Sequence, residues 1–257
     1  MITTEYFKEY RQKIGFSNQN GLKVFFGAKD IIPPIDLEYI RLLNKRLIEI
    51  VEKINSAVHR DIKVSNLQEF NNEFIEEAFK IIKKNKIIPR LNNLGRRPEE
   101  VYFSWMRGFV TAKLFEKALS VIFSINTSNI HTIGNDDLKN IDVFKKTPTA
   151  DIEIEYEDQK IRVEIQSGFT GINDIKQHKV LEARKIYREQ NIHTIAIHFD
   201  LFDGQVALVQ LDNIDDNNIN WITRQQMEGQ TVFNIEQNYF IWKLTEVPVS
   251  FKNLEMF

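Results

Sequence analysis

The chain has 257 residues, 42% hydrophobic and 27% charged, with 19 Phe and a net charge of −2. That is enough apolar material for one large domain, or a core with a helical extension. The charge balance excludes a charge-driven coat on nucleic acid, which needs a basic footprint, and the lack of cysteine excludes disulfides and thiolate-held zinc. No apolar run approaches the length that spans a bilayer, and residues 1–20 are charged and aromatic without a signal-peptide core. With no membrane segment, no leader and no cysteine, the expectation is a cytoplasmic protein. Its many Ile, Lys and Asn residues suggest an A/T-rich bacterial or archaeal genome.

The N-terminal third reads as helical. From Leu37 to Val58, apolar residues recur at Ile40, Leu43, Leu47, Ile50 and Ile54; from Asn66 to Asn85 they recur at Phe70, Phe74, Ala78 and Ile82. Such stripes are core or subunit contacts. The loop from Ile88 to Arg97 carries Asn92, Asn93, Arg96 and Arg97, residue types that bind phosphates and read base edges. Surface arginines beside a helix start are the plainer reading of the same loop. Pro98, Glu99 and Glu100 then open a long helix running to Phe123, because Pro suits the first turn and acids suit the positive end of the dipole.

Next come two runs of strict alternation, Ile152-Ile154-Tyr156 and Ile161-Val163-Ile165, the pattern of half-buried strands. Folded over Glu157 to Lys160 they make a hairpin in which Ile152 faces Ile165, Ile154 faces Val163 and Tyr156 faces Ile161. The polar face then sets Asp151 against Gln166, Glu153 against Glu164 and Glu155 against Arg162. Asp151 and Glu164 become diagonal neighbours, roughly 7–8 Å apart, near enough for both carboxylates to reach one cation. Hard oxygen ligands favour Mg²⁺, which accepts one or two carboxylates and keeps waters for a phosphate-bearing substrate. A glycine-containing link, Ser167 to Gly171, leads to a basic amphipathic helix from Ile172 to Gln190 with Lys176, His178 and Lys179. A second hairpin follows, residues 192–201 and 205–211, in which His193 and His198 read as ordinary strand residues on opposite faces. The last fifty residues, with Trp221, Arg224, Gln225, Gln226 and Trp242, read as a closing extension holding further candidates for base contact.

The hairpin resembles the PD-(D/E)XK nuclease superfamily, and within it the type II restriction endonucleases. That pattern is an Asp opening one strand, then an acid, any residue and Lys on the next. Here Asp151 takes the first position, with Ala150 before it where the pattern has Pro, and Glu164-Ile165-Gln166 takes the second, with Gln in place of Lys. Glutamine positions water but carries no charge.

The resemblance implies an α/β (α+β) fold: a restriction-endonuclease-like mixed sheet flanked by helices, after an N-terminal helical region. The segments would be 1–97, a catalytic core at 98–211 and an extension at 212–257, all within one structural domain. It further implies Mg²⁺-dependent, sequence-specific cleavage of double-stranded DNA to 5′-phosphate ends. Asp151, Glu164 and the Ile165 carbonyl would hold the metal, Gln166 would position water, and Glu116 would support the site unless it is simply paired with Lys113. Arg96, Arg97, Asn92, Asn93, Lys176 and Lys179 would face DNA, and Lys179 or Lys176 could instead supply the cation that Gln166 lacks. A homodimer and a companion DNA methyltransferase belong to the same expectation. Three alternatives stand beside it: a repair or junction-resolving nuclease, a noncatalytic DNA-binding protein on a decayed core, and an α/β protein without a DNA role. Phosphate-binding Gly-x4-Gly-Lys-Ser/Thr, dinucleotide Gly-x-Gly-x-x-Gly and hydrolase Gly-x-Ser-x-Gly patterns are all absent from the chain.

Overall fold

The computed structural model describes residues 3–28, 30–31, 34–91, 96–133, 138–144, 152–157, 159–225 and 229–254. Asn92, Asn93, Asp151 and Gln226 lie outside the described residues. The helices are α1 (Thr4–Lys13), α2 (Gln19–Phe26), α3 (Leu37–Ala57), α4 (Leu67–Asn71), α5 (Ala78–Lys84), α6 (Pro98–Leu114), α7 (Glu116–Phe123) and α8 (Gln177–Gln190). The strands are β1 (Ile130–Thr132), β2 (Ile152–Tyr156), β3 (Gln159–Gly168), β4 (Asp174–Lys176), β5 (His193–Asp200), β6 (Gln205–Gln210), β7 (Trp221–Arg224), β8 (Gln230–Asn234) and β9 (Phe240–Lys243).

Six strands form one mixed sheet in the order β1-β2-β3-β5-β6-β9, and β4-β8-β7 form a second, three-stranded sheet. β1, β2 and β3 run antiparallel in sequence, α8 crosses over, and β5 returns parallel to β3. A parallel return needs such a crossover, because a hairpin turn cannot reverse the chain twice. This is the mixed sheet with flanking helices expected from the sequence, and the strand–strand–helix–strand–strand order is present.

Three apolar clusters hold the layers together. Ile154, Ile161, Val163, Ile195, Ile197 and Phe199 point to one face of the sheet, where Phe115, Ala118, Leu119 and Ile122 cover them. Ala196, Ala207 and Val209 point to the other face, under Val180 and Ala183 of α8 and Phe233 of β8. The N-terminal helical region has its own core, in which Ile40, Leu47, Val51 and Ile82 meet Tyr102, Met106, Val110 and Leu114 of α6. Among the described residues no helix is long and apolar enough to cross a membrane.

Three expectations need correction. The hairpin register is shifted by two positions: Ile152 pairs with Val163, Glu153 with Arg162, Ile154 with Ile161, and Glu155 with Lys160. Both registers place apolar residues opposite one another, so the alternation cannot choose between them; the turn does. Tyr156 pairs with Gln159, leaving a two-residue turn in which Glu157 takes φ +45°. Two-residue turns of this sign match the twist of the flanking strands. Glu157→Gly removes the Cβ from a left-handed position and is expected to stabilise the protein by about 0.5–1 kcal/mol, read from urea midpoints.

The long helix from Pro98 to Phe123 is broken at Phe115, where ψ opens to 4° and the chain turns into α7. The ring of Phe115 is 1% exposed and stacks on Phe199 at 4.0 Å between centroids, so packing on the sheet fixes the break. The basic helix starts at Gln177 rather than Ile172, because Asp174 to Lys176 pair with β8 through Asp174↔Asn234, Ile175↔Phe233 and Lys176↔Val232.

Candidate active site on the polar face of the hairpin

Since Ile161 and Val163 of β3 face α7, Arg162, Glu164 and Gln166 face the α8 side. Glu164 is 4% exposed, a burial that a carboxylate tolerates only with partners. Lys179 in the first turn of α8 supplies one, its Nζ donating to Glu164 Oε2 at 2.7 Å. A small cavity beside this pair is lined by Arg162, Glu182, Ala183, Ile186, Thr194 and Leu211. Two buried polar atoms near it, Arg162 Nε and Thr194 Oγ1, make no hydrogen bond.

Glu153 of the hairpin is neutralised by neighbouring cations. Lys160 donates to Glu153 Oε1 at 2.8 Å, and Arg162 Nε lies 3.6 Å from Glu153 Oε2. The Lys160 hydrogen bond first, then the charges of Lys160 and Arg162, hold the Glu153 carboxyl below its ordinary range against the opposing effect of burial. Arg162 therefore pairs with Glu153, not with Glu155, and Glu153 does not sit across from Glu164.

Gln166 is half-buried and lies directly across from His198 on β5. His198, 3% exposed, is more than an ordinary strand residue. Its Nε2 meets Asn173 Oδ1 at 2.8 Å, and Asn173 Nδ2 donates to Asp200 Oδ2 at 3.0 Å. Asp200 is an acceptor, so the Asn173 amide must present its oxygen to His198, and His198 carries its proton on Nε2. His198 Nδ1 is then a bare acceptor, buried and without a hydrogen bond. For Asp200, burial raises the carboxyl, but hydrogen bonds from Asn173, the Asp203 N–H, Gln205 and the Phe202 N–H outweigh it and leave the group below its ordinary value. Gly168 fits beside this chain because a Cβ there would lie 3.3 Å from His198 Nε2 and 3.4 Å from Asn173 Oδ1. The sequence hinted at this network only through Asp200, an Asp placed to cap the turn at Phe202-Asp203-Gly204.

Burial pushes His198 down to about 4, against the pull of Asp200 and Asp174. The unfolded chain takes up a proton below pH ~6.5 that the folded protein refuses until about pH 4. Stability is expected to fall by about 3 kcal/mol across that window. Urea midpoints measured against pH check this, and His198→Gln should lose that part of the slope.

Of the remaining candidates, Ile165 is on β3 next to Glu164, its side chain partly buried against the first cluster. Glu116 sits at the start of α7, on the layer covering the opposite face of the sheet, and is ion-paired with Lys113. Lys176 is exposed at the end of β4. Arg96 is exposed and donates to the Glu100 carbonyl at 3.3 Å. Arg97 is tied to Glu99 at 3.5 Å and Asp36 at 3.9 Å, with its guanidinium 4.8 Å from the Tyr39 ring centre. In the extension, Arg224 clasps Asp174 with bonds of 2.8 and 3.1 Å. Trp242 is 3% exposed and donates to the Glu246 carbonyl, so it is a core residue and not a base contact.

No family model matches the chain, and no curated protein matches it. Among solved structures it is similar to a Holliday junction resolvase, Hjc of Archaeoglobus fulgidus. The match has 8% identity over 51% of this chain and 83% of that one, with a TM-score of 0.32. A likeness that weak carries nothing about activity.

Proposed function

We propose that the protein is a Mg²⁺-dependent DNA endonuclease and that it cuts duplex DNA at a specific sequence, as type II restriction enzymes do. The observation that carries this is Glu164, a buried carboxylate on the polar face of β3 beside a lysine, a glutamine and a small cavity. Among the described residues no three Asp, Glu or His side chains gather at one point. The donor described there is therefore the Glu164 carboxylate, with the Ile165 carbonyl proposed beside it. Both are hard oxygens, and Mg²⁺ takes only one or two carboxylates, so the set fits this ion. Asp151, which opens the acidic pattern in the sequence and lies outside the described residues, is the second carboxylate of the proposal.

When bound, the ion would polarise the scissile phosphate and make water a stronger nucleophile. Glu164 and Asp151 would fix its position, and Gln166 would orient the attacking water through its amide. Hydrolysis consumes one water: its oxygen bonds to phosphorus, the P–O3′ bond breaks with its electron pair leaving on O3′, and O3′ takes up a proton. The products are a 5′-phosphate and a 3′-hydroxyl. Arg96, Arg97, Asn92, Asn93 and Lys176 are the proposed DNA contacts, with Arg97 sharing its charge with Asp36 and Glu99. Glu116, which starts the helix on the opposite face of the sheet and is paired with Lys113, is left out of the proposed site. Cutting both strands of a palindrome implies a homodimer whose twofold axis matches that of the site, and host protection implies a companion methyltransferase.

The test compares linear duplex DNA with four-way junctions, each with Mg²⁺ or with EDTA. Discrete duplex fragments support the proposal. Cleavage confined to junctions would replace it by a structure-reading nuclease, and binding without cleavage by a DNA-binding protein on an inactive core.

A further inference from the structure

Phe169 and Phe202 leave their rings largely in solvent, 52% and 69% exposed. They sit on two loops at the same end of the main sheet, where Gly168 of β3 lies beside Asp200 of β5. Phe169 opens the link that follows β3, three residues past Gln166 and so about 10 Å from it at strand spacing. Phe202 lies in the turn between β5 and β6, close against Gly171, where a Cβ would be 3.5 Å from its ring. The Leu201 N–H donates to the Gly168 carbonyl at 2.8 Å, and Asp200 Oδ1 accepts from the N–H groups of Phe202 and Asp203. Asn173 ties the link to His198 and Asp200. The buried His198–Asn173–Asp200 chain thus fixes both loops that carry the exposed rings.

Arg107 of α6 completes the group. Its guanidinium lies 4.3 Å from the Phe169 ring centre and 5.8 Å from that of Phe103. Among the described residues no carboxylate pairs with it, and the neighbouring charge is a second cation, Arg96. Burial first, then Arg96, pulls Arg107 below its ordinary pKa. A half-buried cation beside a like charge is held at a cost that an anion would relieve. Exposed aromatic rings next to guanidinium groups without an acid suit a ligand with a planar ring and a phosphate, which is a nucleotide.

We propose that Phe169 and Arg107 take up one nucleotide drawn out of the DNA stack beside the cut, its base lying on Phe169 and its phosphate meeting Arg107. This rests on the nuclease reading above and narrows it to a substrate opened at one nucleotide. Phe202 supplies an apolar flank from the neighbouring turn. Drawing a base out of the stack costs least where the base is already unpaired, so a duplex with one unpaired nucleotide is the preferred ligand.

Fluorescence anisotropy in EDTA tests binding apart from cleavage. It compares a paired duplex, the same duplex with one bulged adenine, and one in which the bulged position is abasic. The wild type is expected to bind the adenine bulge about tenfold more tightly than the abasic one, the size of one base–aromatic stack. Phe169→Leu keeps an apolar side chain without a π face and should cut that preference to less than about twofold, whereas Phe169→Tyr should keep it. Phe169→Ser serves the same comparison should the Leu variant misfold. Arg107→Met should weaken binding of all three duplexes together and lower the slope of log affinity against log salt by about one.

Equal binding of the adenine and abasic bulges by the wild type, or a preference that survives Phe169→Leu, overturns the base half of the proposal. A salt slope unchanged in Arg107→Met overturns its phosphate half. If Mg²⁺ brings no cleavage of any DNA while the preference stands and depends on Phe169, the nuclease reading falls and the nucleotide site remains. Cleavage of paired duplex by a protein indifferent to the bulged base does the reverse.

Discussion

Glu164→Gln is expected to lower Mg²⁺-dependent cleavage by at least about 10³-fold while leaving the protein folded. The substitution keeps an oxygen for the Lys179 ammonium but removes the negative charge that holds a divalent cation. Glu164→Ala is expected to lose the same activity and to cost stability as well. Breaking one side of a buried ion pair costs about 3–5 kcal/mol, and this one is nearly closed to solvent. Circular dichroism and thermal unfolding separate the two variants; a cleavage assay with the Gln variant reads the chemistry alone. Substantial activity in a folded Glu164→Gln protein would remove Glu164 from the site.

The second large effect is on the fold. Phe115→Ala takes away a ring that stacks on Phe199 at 4.0 Å and is 1% exposed. Phe199 in turn meets Trp242 edge-on at 6.5 Å, so the lost ring opens a cavity at the centre of the largest sheet. Phe→Ala in such a position costs about 3–5 kcal/mol, which for a chain of this size lowers the melting temperature by roughly 10 °C. Since Phe115 also ends α6, the variant should loosen the α6–α7 junction, with faster amide exchange there. A melting temperature within about 2 °C of the wild type would show that the break at Phe115 has another cause.

The elements that were legible in the sequence are those whose pattern is local. The stripe of α3, the alternation of β2 and β3, and the apolar runs of β5 and β6 each repeat with the period of their own structure. Elements set by distant partners were not legible. β4 is three residues that read as the start of a helix until β8, nearly sixty residues later, pairs with them. Phe115 carries no helix-breaking chemistry; only the sheet beneath it explains the turn. The hairpin register was missed for a different reason. A period of two is unchanged by a shift of two, and the deciding feature, Glu157 at positive φ, is an uncommon choice for that position.

The same distinction applies to the site. Glu164 was visible because acids at alternating positions are a chemical signal. A helix from Ile172 to Gln190 would put Lys176 and Lys179 on one face, because residues three apart on a helix are neighbours. Placing Lys176 on β4 leaves Lys179 as the one that reaches Glu164. The His198–Asn173–Asp200 chain joins two residues of β5, which alternation puts on one face, to a loop residue, Asn173, that no sequence spacing brings there.

The most direct measurement incubates the purified protein with unmethylated phage DNA, with and without Mg²⁺, beside Asp151→Ala. Discrete Mg²⁺-dependent fragments that vanish in the variant are the expected result, and mapping their ends gives the recognition site. Intact DNA across several phage substrates at saturating Mg²⁺ would contradict the nuclease reading, as would fragments that persist undiminished in Asp151→Ala.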